Sequence, residues 1–76
     1  MEREWKLAWT MMFINVRRWK THLPGKHLKS GISYWDRRAA KYFNNLYLKH
    51  GSKPLPVLQE TLEQIHGEMF DGRFNQ

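Results

Sequence analysis

The chain has 76 residues, with 13 Lys and Arg against 7 Asp and Glu, and no cysteine. A chain of this length is one domain at most and buries only about 60% of the surface its unfolded form exposes, which leaves no room for a large interior active site. Without a thiol there is no disulfide framework, thiolate zinc site, iron–sulfur ligation or cysteine nucleophile. The hydrophobic content of 41% is too high for disorder by composition, so the chain folds alone or on a partner.

Apolar residues recur at spacings of three and four and never alternate over a strand's length, which predicts an all-α fold. The expected architecture is a small three-helix bundle-like domain, 1–76, with helices over about 3–20, 33–50 and 56–70 and a long basic loop between the first two. In the first helix Arg3, Lys6, Thr10 and Arg17 form a narrow polar strip, while Trp5, Leu7, Ala8, Trp9, Met11, Met12, Ile14, Val16 and Trp19 cover most of the rest. That apolar arc is wider than two neighbouring helices are expected to cover. Leu23-Pro24-Gly25 stops the helix, because the residue before proline is pushed out of the α region.

The loop that follows carries Lys20, His22, Lys26, His27, Lys29 and Ser30 with no acid, a composition suited to an anion. Lys26 follows Gly25 without the spacing of a P-loop, and no strand precedes it. The second helix is expected to start at Ser33, with Asp36 three residues on completing a capping box, and to stop at Gly51 after Lys49 and His50. Its apolar stripe is Ile32, Trp35, Ala39, Tyr42, Phe43 and Leu46, leaving Arg37, Lys41 and Asn44 on the far side. The third starts near Pro56 and runs toward Phe70, with Leu55, Leu58, Leu62, Ile65 and Met69 as its stripe and Asp71-Gly72 as its stop.

Charge is segregated along the chain. Residues 1–53 carry 12 cations against three acids, net +9, whereas residues 54–76 carry Arg73 against Glu60, Glu63, Glu68 and Asp71, net −3. The first two thirds are therefore expected to face an anionic or acidic partner. The opening Met1-Glu2-Arg3-Glu4 lacks the pattern of a secretory signal, and the apolar segment from Trp5 to Val16 is well short of the ~20 residues that cross a bilayer. With the absence of cysteine, an intracellular, reducing compartment is the expectation, without a transmembrane segment.

Catalytic chemistry finds little support. His22, His27, His50 and His66 do not pair at one-turn spacing, so no metal site is expected, and no cofactor is implied. Glu60 and Glu63 fall on a solvated helix face, where their proton affinity stays ordinary. Ser33-Tyr34-Trp35-Asp36-Arg37-Arg38-Ala39-Ala40-Lys41-Tyr42 resembles the helix before the cofactor loop of class I methyltransferases that use S-adenosylmethionine. It spans ten residues without that family's strand and glycine-rich loop, and no function is carried over.

The resulting expectation is a non-enzymatic binding protein: an accessory subunit, adaptor or inhibitor docked on a larger, partly acidic protein assembly. Trp5, Trp9, Met12 and Trp19 are the expected apolar anchors, and Lys20, Lys26, Lys29, Arg37, Arg38 and Lys41 the groups that meet an anionic partner. The alternative is nucleic-acid binding, with phosphates held by the 20–31 loop and the basic face of the second helix. A helix-turn-helix is disfavoured, because the gap between the first two helices is about three times the usual turn. Attachment to an anionic membrane surface through the first helix is a further alternative.

Overall fold

A computed structural model describes residues 2–23 and 32–71. Among them are three helices and no strand: α1 (Glu2–Lys20), α2 (Ile32–His50) and α3 (Pro54–Phe70). Trp5 and Trp9 of α1 meet Tyr47 and Phe43 of α2, and Arg38 of α2 meets Glu68 of α3, so each consecutive pair is antiparallel. The result is an up-down-up three-helix bundle, as the periodicity predicts.

The turn residues account for most helix ends. After Lys20 the chain tightens, with Thr21, His22 and Leu23 donating backbone N–H groups to Arg18, Trp19 and Lys20, and Leu23 is buried in the core. At the end of α2, Gly51 takes φ +65° and its N–H reaches the Tyr47 carbonyl at 3.0 Å, a left-handed cap that a side chain would strain. α3 begins at Pro54 rather than Pro56: both prolines fit within the first turn, where the missing N–H leaves no bond broken. It runs through the buried Gly67 and closes with the Asp71 N–H on the Gly67 carbonyl at 2.8 Å.

The start of α2 departs from expectation. The helix begins at Ile32, so Ser33 already lies inside it, and the Asp36 carboxylate turns to α1 instead of back to the helix end. It accepts from Lys20 Nζ at 3.1 Å and lies 3.9 Å from Arg17 Nε. A bridge between helices has taken the group that a capping box needed.

Each helix supplies one row to the core. From α1 these are Ala8, Met12 and Val16, each one turn after the last, and the buried stem of Lys20 extends the row. From α2 come Trp35, Ala39 and Phe43, with Tyr42 and Leu46 packed beside them. The α3 row is Val57, Leu58, Thr61, Ile65, Glu68 and Met69. Leu55, expected in that stripe, stands outside it because the inner surface of the first turn falls on Val57 and Leu58.

Thr61 is fully buried, and its Oγ1 has no hydrogen-bond partner among the described residues. A desolvated hydroxyl without a partner costs stability that an equal-sized methyl does not. Thr61→Val is expected to raise stability by about 1 kcal/mol, read as a higher midpoint in urea unfolding at unchanged slope.

Candidate functional site

The surface of α1 divides into two apolar rows. Ala8, Met12 and Val16 face inward; Leu7, Met11 and Ile14 lie about 130° around the helix and are 56%, 48% and 52% exposed. Beside them α3 contributes Leu55, 60% exposed, and the two helices enclose a shallow groove of about 230 Å³ floored by Ala8 and Leu58. Arg3, Lys6, Thr10, Arg17 and Arg18 are exposed around the outer row, and Glu4 is the acid on its other edge. Among the described side chains, the open apolar row is thus bordered by four cations and one acid, which combines apolar surface with positive charge.

The expected anchors are placed differently. Met12 is fully buried and offers no surface, which removes it from the docking set. Trp5, Trp9 and Trp19 are half-buried, with rings engaged inside the fold. Phe43 stands edge-on to Trp5 at 5.9 Å and to Trp9 at 5.2 Å, and Tyr47 lies 4.7 Å from Trp5. Trp19 is edge-on to His66 at 4.8 Å, and His66 in turn packs on Phe70. Edge-to-face contacts of this kind stabilise a pair by about 1 kcal/mol beyond burial and hold the rings against the core.

The expected cations also separate. Lys20 is buried and its ammonium is bonded to Asp36, so it does not face an outside anion. Arg38 bonds Glu68 through Nε and reaches the Tyr42 hydroxyl at 3.3 Å, so its charge is used between α2 and α3. Arg37 and Lys41 are exposed on the outer face of α2, one turn apart, with Asn44 and Leu48 continuing the row. Lys26 and Lys29 lie outside the described residues.

Glu68 is the one acid in the core row of α3. Burial pushes its carboxyl up, but hydrogen bonds from Arg38, Tyr42 and Gln64 outweigh this and hold it below the usual carboxylate range. The same contact with Glu68 raises Arg38, and burial followed by that bond raises the Tyr42 phenol. Glu60, expected to keep an ordinary proton affinity, is bonded to His50, and that bond lowers its pKa, with Lys49 adding at 3.8 Å. These clusters join α2 to α3 and make Glu60 and Glu68, two of the four acids of the last third, internal partners for cations of α2.

Sequence reasoning passed over Leu7, Met11, Ile14 and Leu55 as a surface set. The available signal was the width of the apolar arc on α1, which exceeds one core row. No described helix is long and apolar enough to cross a membrane.

The two classes of cation are separable by stability. Arg37→Ala and Lys41→Ala are expected to stay within about 0.5 kcal/mol of the parent, whereas Arg38→Met, which leaves a buried carboxylate without its cation, loses about 2 kcal/mol at neutral pH after allowing for partial exposure. A lowered carboxylate pKa contributes stability above the unfolded value of about 4.3 and loses it as pH falls through the folded one. The gap between parent and Arg38→Met, measured by urea unfolding, therefore narrows below about pH 4. No family model, no curated protein sequence and no solved structure matches this chain.

Proposed function

We propose that this chain is a non-enzymatic binding protein that docks on a larger protein with an acidic surface, as an accessory subunit, adaptor or inhibitor. The observation that carries the proposal is the exposed row Leu7, Met11 and Ile14 on α1, continued by Leu55 and bordered by Arg3, Lys6, Arg17 and Arg18. The core is already supplied by the inner row, so the outer apolar side chains contribute little to folding, and leaving them in water carries a cost that a partner relieves. The surrounding cations steer an acidic partner and fix its orientation. Compared with the sequence expectation, the proposed contact surface moves from the tryptophans to the aliphatic side chains about two fifths of a turn away.

A second reading rests on α2, whose outer face carries the exposed Arg37, Lys41 and Asn44, the composition of a phosphate-contacting helix. Salt separates the two. Phosphate contacts weaken steeply with ionic strength, with a log–log slope of about −0.9 per contact on duplex DNA, while apolar docking keeps most of its affinity.

The test is capture from native extract at moderate salt, with and without nuclease, using the tagged chain and its Leu7→Glu, Met11→Glu and Arg37→Glu/Lys41→Glu forms. Leu7 and Met11 are exposed, so their substitutions leave the fold intact by circular dichroism. The expected result is a nuclease-resistant protein whose recovery falls about tenfold or more in either α1 variant and much less in the α2 variant. Loss of the captured material on nuclease treatment, with dependence on Arg37 and Lys41, moves the assignment to nucleic acid.

A further inference from the structure

The shape of the groove between α1 and α3, and the cations exposed along the α1 row beside it, define the occupant more narrowly than an acidic protein. Resting on the docking function proposed above, we propose that the partner element is a single amphipathic α-helix with carboxylates beside its apolar stripe, which packs onto Leu7, Met11, Ile14 and Leu55 and completes a four-helix bundle.

Three observations lead there. First, α1 and α3 run in the same direction: Leu7 lies by Leu55 near one end and Trp19 by His66 near the other. The groove between them is thus the unfilled position of a bundle, floored by the small Ala8 and by Leu58, and a ridge of side chains spaced three and four residues apart fits into such a groove. The exposed row from Leu7 to Ile14 is two helical turns, about 10 Å, the reach of an i, i+3, i+4, i+7 contact.

Second, the charges decide between occupants. Among the described side chains, Arg3, Lys6 and Arg18 stand around the row against Glu4, with Arg17 beside them 3.9 Å from Asp36, so a second copy presenting the same face brings like charges together. A helix with Glu or Asp beside its apolar stripe satisfies them instead.

Third, the row is aliphatic. Trp5, Trp9 and Trp19 are held in ring contacts within the fold, so the aromatic side chains that anchor helices in a lipid interface are turned away from this face. Helix packing is served by Leu, Met and Ile alone, and Met11 adapts to the ridge it meets.

The test uses the full chain labelled with 15N and two synthetic helical peptides of about 18 residues, five turns. Both carry the same Leu row at i, i+3, i+4 and i+7; one has Glu on its flanks and the other Lys. Anionic phosphatidylserine vesicles and a single-stranded oligonucleotide are titrated in parallel. The expected result is that the Glu peptide shifts the amide signals of Leu7, Met11, Ile14 and Leu55, gains helical circular dichroism, and binds about tenfold or more tighter than the Lys peptide. Lys6→Glu/Arg18→Glu reverses that preference, and Met11→Glu weakens both peptides.

Equal affinity for the two peptides overturns the charge assignment. Shifts confined to another face, or perturbation of the row by vesicles or oligonucleotide but not by peptide, overturn the inference altogether. Failure of both peptides likewise rejects a lone helix as occupant, while dependence of protein capture on Met11 leaves the broader docking function standing. If capture is indifferent to Met11 as well, both fail together.

Discussion

Phe43 stands edge-on to Trp5 and Trp9, and the organisation of α1 follows from that contact. With both indoles drawn onto one α2 ring, the helix is rotated so that Ala8, Met12 and Val16 fill the interior. The remaining apolar side chains, Leu7, Met11 and Ile14, are left on the opposite arc. A row without aromatic rings, Ala8, Met12 and Val16, at the centre lets α2 and α3 approach, while the large rings close the sides of the bundle. A domain of this size has few layers to bury, and using aromatic rings as side walls increases apolar burial per residue.

Polar groups join the helices at both ends. Lys20 and Arg17 of α1 share Asp36 of α2, and Arg38 and Tyr42 of α2 share Glu68 of α3. Near the α2–α3 turn, His50 and Lys49 share Glu60. In each case an acid is bridged by two groups from a neighbouring helix, which fixes helix register in a way that a sliding apolar seam does not. The segregation of charge along the chain thus has two separate roles: Glu60 and Glu68 of α3 serve cations of α2, while Arg3, Lys6 and Arg18 stand exposed on the outer face of α1 beside the open groove.

Helix number, type and most boundaries were readable because Gly51, Pro54 and Asp71 act locally, through φ and the loss or supply of one N–H. The core rows of α1 and α2 were readable in part, since periodicity shows which residues share a face. What periodicity does not show is which face meets a neighbour. For that reason Met12 and Met11, adjacent and chemically identical, have opposite fates, and Leu55, expected in the core stripe, stands exposed while Val57 is buried. Lys20 and Arg38 looked like surface cations because their partners lie 16 and 30 positions away, a separation that no local pattern encodes. Buried Thr61 and Glu68 were invisible for the same reason: tertiary contact, not composition, takes them from water.

The connections are unequal: residues 51–53 join α2 to α3, whereas the chain between Lys20 and Ile32 is several times longer. Closing the longer connection costs about 1 kcal/mol more chain entropy, so α2 and α3 pair as a hairpin at the smaller closure cost and α1 is added to it at the larger one. The exposed row Leu7, Met11 and Ile14 sits on α1. A molecule seated on Leu7 and Met11 therefore also clamps α1 to the hairpin, and its concentration becomes a control on how much of the chain is folded at any moment.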